Sequence, residues 1–262
     1  IDLESEGTSI VPGLLQFSGN TVRLTALNSS LQTIDGDLRH ILTAGWIELD
    51  LSSAQLAIAG RDWGISKVVD FLSEEKSIWE NLSSFLSLPM KAKPALKKGL
   101  YSAVYGALEN NIPRFILKKA GSEGIDVPED KAERFTEHPL VEELLEAREE
   151  QLDKIREHGG AENCYGQWID YDGIEKQKPQ RSILAQLNQA REMSLLEPVL
   201  RLAEEQDEGL QAWDVTLLQH DGFSIKVHDG QEEQVVQTLQ DAVGDLAERH
   251  GYPTRLEVES MS

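Results

Sequence analysis

Trp46-Ile47-Glu48-Leu49-Asp50-Leu51-Ser52-Ser53-Ala54-Gln55-Leu56 is the stretch whose reading decides the fold. Its first half reads as a short apolar strand that delivers one carboxylate, Asp50, at its end. Apolar residues then recur at Leu51, Ala54, Leu56, Ile58 and Ala59, the spacing of a helix packed behind that strand. A carboxylate on a strand end is held rigidly, as a metal ligand must be. The same letters admit a plainer reading, in which Asp, Ser and Ser ahead of an apolar run cap a helix.

Working outward, 262 residues make one large domain or two small ones, and 40% hydrophobic content supports a core. No run of about 18 apolar residues is present, so no transmembrane helix and no membrane partner are expected. No signal peptide is visible, and the initial Ile1 reads as a processing boundary. A single cysteine, Cys164, excludes an internal disulfide and a multi-cysteine zinc site, and it reads as a packed residue rather than a nucleophile. A cytoplasmic setting is the expectation, for a cellular protein or for a virus- or plasmid-encoded one. The net charge of −21 argues against nucleic acid on average, because phosphate binding draws on Lys and Arg. The acidity is uneven, however. Residues 123–162 hold many carboxylates, whereas Lys91, Lys93, Lys97, Lys98, Arg114, Lys118 and Lys119 form a basic island. Such an island is either a solvated helix face or a local phosphate-binding surface.

The rest of the chain alternates helices with a few strands. A strand is expected over Thr21–Thr25, one or two helices over 65–88, and a new helix from about Lys91 with Pro94 in its first turn. On that helix Lys93, Lys97, Tyr101 and Tyr105 are each four apart and share a face. Two cations and two tyrosines there suit an anion and a planar group, or else a surface stripe of snorkelling lysines. A long acidic helix is expected over His138–His158, stopped by Gly159-Gly160, then an aromatic hairpin or loop over 164–173. A helix over Gln180–Glu205, bent or interrupted near Pro198, leads to Trp213–Gln219 and Phe223–Val227, two strands joined by the tight turn His220-Asp221-Gly222. A helix over Glu232–His250 and a strand over Arg255–Val258 complete the pattern. The hairpin tip sets a second carboxylate, Asp221, at a strand end, although His-Asp-Gly is also an ordinary turn. Two aspartates brought together on one sheet suit a pair of divalent cations.

Together these segments resemble a family A nucleic-acid polymerase, the bacterial DNA polymerase I type. Asp50-Leu51-Ser52-Ser53-Ala54-Gln55-Leu56 is similar to motif A, Lys93-x3-Lys97-x3-Tyr101-x3-Tyr105-Gly106 to motif B, and His220-Asp221-Gly222 to motif C. Arg23 with Gln32 resembles the upstream primer–template segment, and Arg181 with Gln189 the template-contacting helix. The five segments keep the family's order and spacing over nearly the whole chain.

The resemblance implies an α+β right-hand polymerase core, with an antiparallel palm sheet and mostly helical fingers. Palm would occupy 1–63 with motif A, fingers 64–135 with motif B, and palm again 136–262 with motif C. It implies a DNA polymerase adding dNTPs to a primer 3′-OH with two Mg²⁺ ions, for which Mn²⁺ can substitute, held by Asp50, Asp221 and the Leu51 carbonyl. Lys93, Lys97, Tyr101, Tyr105 and Gln55 would bind the nucleotide, with Gln55 as sugar gate. Arg23, Gln32, Arg181, Gln189 and His220 would contact primer–template DNA. Neither a thumb nor a 3′–5′ exonuclease is recognisable within these residues, so an N-terminal region or separate subunit supplying them is the expected partner.

Several residues depart from the family pattern. Gln55 stands where the DNA enzymes usually have Glu, Gly222 where motif C usually ends in Glu, and Lys93 where Arg is commoner. The usual basic hairpin ahead of the Arg181 helix is replaced by the acidic, aromatic 162–173 segment. These departures keep two other readings open: a phage-type RNA polymerase or primase-like enzyme using rNTPs, and a catalytically silent polymerase-like subunit.

Overall fold

The computed structural model describes residues 2–3, 8–9, 15–17, 24–26, 42–172, 174, 178–206, 212–218, 222–228 and 230–261. Two short antiparallel ladders come first, β1 (Asp2–Leu3) with β2 (Thr8–Ser9) and β3 (Leu15–Phe17) with β4 (Leu24–Ala26). β5 (Ile47–Leu51) and α1 (Ala54–Asp62) form the expected strand and helix. A run of helices follows: α2 (Ser66–Ser73), α3 (Ile78–Leu86), α4 (Lys93–Val104), α5 (Ile112–Ser122), α6 (Glu129–Glu133) and α7 (Pro139–His158). A small hairpin, β6 (Gly160–Glu162) and β7 (Trp168–Asp170), leads into α8 (Pro179–Glu204). β8 (Trp213–Leu218), β9 (Gly222–Val227), α9 (Glu232–His250) and β10 (Leu256–Met261) complete the order.

The main sheet is antiparallel, in the order β10-β5-β9-β8, so β5 lies inside it with a neighbour on each edge. Strand residues alternate between faces. Ile47, Leu49 and Leu51 of β5, Phe223 and Ile225 of β9 and Leu256 of β10 turn to one side. There they pack with Leu195, Leu196 and Val199 of α8 and Val235, Leu239 and Val243 of α9. The opposite face carries Glu48 and Asp50 beside Ser224 and Gly222. A second core gathers the helices, from Leu56 and Ala59 of α1 through Leu96, Ile116, Phe135 and Leu144 to Ile183 and Leu184 of α8. α1 and α8 therefore contribute to both cores.

Three local expectations are refined. Asp50 lies inside a strand, and Ser53 takes the N-cap position of α1 in a left-handed conformation, φ 51°, with no capping hydrogen bond from its side chain. The capping reading of Asp-Ser-Ser is thereby set aside. α8 runs through the buried Pro198 without interruption, because packing in two cores offsets the hydrogen bond the proline cannot donate. Gly222 belongs to β9 rather than to the turn. Among the described residues no helix is long and apolar enough to cross a membrane.

Candidate active site

Asp50 is half-buried on the polar face of the sheet. Its partner on β9 is Gly222 and its partner on β10 is Glu257. Like charges directly opposite one another repel. Here Arg255 Nε donates to Glu257 Oε1 at 2.8 Å and Arg255 Nη1 to Glu75 Oε1 at 2.7 Å, which draws the Glu257 carboxylate toward a cation. Gly222 explains the close approach of β9. A Cβ there would stand 2.3 Å from the Leu49 carbonyl oxygen and 2.8 Å from Asp50 Oδ1, so a side chain at this position would force the strands apart. The glutamate usual in the family at this position has no room in this arrangement. Asp221 and His220 lie outside the described residues, as do Arg23 and Gln32. Asp221 is nevertheless bonded in sequence to the residue that faces Asp50.

The basic and aromatic stripe is a single face of α4. Ala95, Leu96, Gly99, Leu100, Ala103 and Val104 are its buried side, while Lys93 and Lys97 are exposed and Tyr101 and Tyr105 half-buried. Lys97 Nζ sits 5.3 Å from the centre of the Tyr101 ring and Lys93 Nζ 5.9 Å from that of Trp79. The Tyr101 and Tyr105 rings meet edge to face at 6.5 Å. Neither lysine is in an ion pair among the described residues, so both charges stay available to an anion. α4 ends in a Schellman motif: Gly106, φ +79°, donates its N–H to the Ala103 carbonyl and Ala107 donates to Ser102.

α8 meets that end. The Arg181 stem packs on Gly106, where a Cβ would lie 3.0 Å from Arg181 Cγ. Burial, and then the charge of Arg148, pull the Arg181 guanidinium below its ordinary pKa. Its Nε has no hydrogen-bond partner among the described residues. Gln189 is half-buried further along the same helix. Gln55 faces inward from α1 at 2% exposure, and its Nε2 donates to Glu192 of α8, itself 1% exposed. Gln55 is thus a buried residue held by a carboxylate that sequence reading did not single out. Burial raises the Cys164 thiol above its usual range, which keeps it protonated and unreactive at neutral pH.

Two further residues escaped sequence reading. Arg148, with 3% of its side chain exposed, sits on α7 and donates from Nη1 to the carbonyls of Ala103 at 3.0 Å and Ala107 at 2.8 Å. The signal was present: Arg148 occupies the apolar stripe of α7, between Leu144 and Leu152. His138 caps α7, its Nδ1 accepting from the Leu140 N–H at 3.3 Å while Nε2 donates to Asn81 Oδ1 at 2.6 Å. Among the described residues no group of three or more His, Cys, Asp or Glu is placed to hold a metal ion.

No family model matches the chain, and no curated protein matches its sequence. Its fold is similar to that of a solved structure, the POL domain of Pol1 from M. smegmatis in complex with DNA primer–template and dNTP. The two align with a TM-score of 0.66 and 15% identity, over 90% of this chain and 44% of that one. This chain therefore spans less than half the length of the structure it matches. At that identity the likeness is one of fold, and the α+β polymerase architecture, an antiparallel sheet beside a helical body, is the fold of this protein.

Proposed function

We propose that this chain is the palm and fingers of a template-directed DNA polymerase, with palm over 1–63 and 136–262 and fingers over 64–135. The observation that carries the reading is the register of the sheet, in which Asp50 faces Gly222 and so stands beside the residue that follows Asp221. The exposed Lys93 and Lys97 with the half-buried Tyr101 and Tyr105 support it from the opposite body of the fold.

The donor set fits magnesium: hard carboxylate oxygens from Asp50 and Asp221 and the Leu51 backbone carbonyl. The absent side chain of Gly222 lets the β9 backbone come close beside the Asp50 carboxylate and the Leu49 carbonyl oxygen. When bound there, two divalent cations would make the primer 3′-hydroxyl a better nucleophile and offset charge on the departing pyrophosphate. The chain's own residues do the rest. Asp50, held on the strand β5, and Asp221 fix the reacting end of the primer. Lys93 and Lys97 neutralise charge on the β- and γ-phosphates as it grows. Tyr105 lies against the templating pair and Tyr101 near the sugar. Arg181 and Gln189 hold the template, and Arg23, Gln32 and His220 the primer end and minor groove. A thumb-bearing region or partner subunit completes the grip on the duplex.

One observation favours a second reading, an enzyme that accepts rNTPs. Gln55 is tied to Glu192 in the interior, so it projects less toward a nucleotide sugar than a free gate would. The experiment is single-nucleotide addition to a primed template in Mg²⁺ with dNTP or rNTP, comparing the parent with Asp50→Asn and Asp221→Asn. Each variant is expected to fold and to lose addition by more than about a thousandfold, because a ligand charge has left a two-metal site. Near-parental turnover by either variant would refute the assignment of that residue. No addition by the parent, with a thumb-bearing partner present, would favour the silent subunit.

A further inference from the structure

We infer that Arg148 is a positioning residue for the nucleotide-facing helix, holding Tyr105 and Gly106 in place from behind. The inference rests on the polymerase reading of α4. The last turn of a helix leaves carbonyl oxygens without intrahelical donors, and their summed dipole favours a cation. Arg148 supplies that cation from α7, a different element. A single nitrogen, Nη1, donates to Ala103 on one side of Tyr105-Gly106 and to Ala107 on the other. Nε and Nη2 meanwhile bond Glu149 Oε1 at 3.2 and 2.6 Å, which keeps the guanidinium plane from turning. The bracketed segment is the Schellman turn, with Gly106 left-handed at its centre and Arg181 packed upon it. Tyr105 therefore has its backbone fixed on both sides by one buried ion, while its ring stays half-exposed on the stripe.

A guanidinium is specific for this task. Its planar fork reaches two carbonyls and a carboxylate at once, whereas an ammonium is a point charge on a flexible stem. A residue needed only to fill the stripe of α7 would be apolar, as Leu144 and Leu152 are. Bracketing the turn controls where the tyrosine stands when a nucleotide arrives, so loosening the turn weakens nucleotide binding and leaves the chemical step little changed.

The test uses the full chain on a primed template, with kcat and KM measured for the complementary dNTP, and hydrogen exchange of residues 101–108. Arg148→Met is expected to raise KM about tenfold while changing kcat less than about threefold, the pattern of lost nucleotide positioning. Exchange over 101–108 should quicken. Arg148→Lys should recover part of both effects. A purely structural role would lower the melting temperature and leave KM at the parental value, and that result in a folded Arg148→Met protein overturns the inference. Where Arg148→Met does not fold, Arg148→Lys decides: a KM raised severalfold supports the inference, and a parental KM with parental exchange overturns it. A parent that adds no nucleotide even with a thumb-bearing partner present overturns the polymerase reading itself and this inference with it, whereas an active parent with an unmoved KM overturns this inference alone.

Discussion

Replacing Gln55 by glutamate would set two carboxylates against each other inside the protein. In the parent the Gln55 amide donates to Glu192, and both residues are at most 2% exposed. Two buried carboxylates in contact cannot both ionise, so the pair in the Gln55→Glu variant keeps one proton. That proton restores a donor: the protonated carboxyl introduced by the substitution can give its O–H to Glu192 as the amide gives its N–H. The cost lies in the unfolded chain, where glutamate ionises with a pKa of about 4.3. A group protonated in the folded state and ionised in the unfolded one loses about 1.4 kcal/mol of stability per pH unit above that value. The variant should therefore be about 4 kcal/mol less stable than the parent at pH 7, about 1 kcal/mol less at pH 5, and close to it near pH 4.3. At pH 7 the loss corresponds to a melting temperature lower by roughly 8–16 °C for a chain of this size. Urea melts of parent and Gln55→Glu at pH 7, 6 and 5 measure the slope. A difference that does not change with pH, or no difference at pH 7, would refute the buried contact with Glu192.

Burial holds His138 below its ordinary pKa, and its Nδ1 is already committed as an acceptor to the Leu140 N–H. The folded state thus favours the neutral ring. The contribution of His138 is full above the unfolded pKa of about 6.5 and is lost as pH falls toward the lower folded value. An NMR titration should place His138 below 6.5, and Asn81→Ala, which removes the partner of Nε2, should lower stability at pH 7.5; a His138 titration midpoint above 6.5 would contradict this. The last expectation concerns charge. With a net charge of −21 and the exposed lysines of the stripe region confined to Lys91, Lys93, Lys97 and Lys98, residues 1–262 should bind primer–template weakly. Each phosphate contact adds about −0.9 to the slope of log K against log salt on duplex DNA, so few contacts give a shallow slope. A steep slope with tight binding would show that no thumb-bearing partner is needed.

Much of this arrangement was legible because the local code and the tertiary demand agree. Ile47-Glu48-Leu49-Asp50-Leu51 alternates strictly, and the sheet uses that alternation to bury Ile47, Leu49 and Leu51 while Asp50 takes the other face. The four-residue spacing from Lys93 to Tyr105 describes one face of a helix, and α4 leaves its lysines exposed and its tyrosines half-buried because its small and apolar residues fall on the other side. What sequence could not supply were the pairings that tertiary structure creates. Gln55 and Glu192 are 137 positions apart, and nothing local marks them as partners. Gly222 reads as turn punctuation until its missing Cβ is set against Leu49 and Asp50. Arg148 carried a local signal, a cation on an apolar stripe, whose meaning depended on which carbonyls lay opposite. The roles assigned to Asp221, His220, Arg23 and Gln32 stand on sequence alone.

The strand order carries a consequence for how the protein comes off the ribosome. β5 is made well before its two neighbours, β9 and β10, which begin at Gly222 and Leu256. The helices from α1 to α7 can gather their core while those segments are still being translated. At about 5–20 residues per second, β5 waits on the order of 10–40 seconds for its last partner to be synthesised. During that interval Ile47, Leu49 and Leu51 form an apolar strand with two open edges, the kind of template on which chains pair with the wrong neighbour. Asp50 is thus translated long before the two strands that flank it. Folding yield in the cell should be governed by how well β5 is shielded over that delay, whether by a chaperone or by slow, stepwise docking against α1.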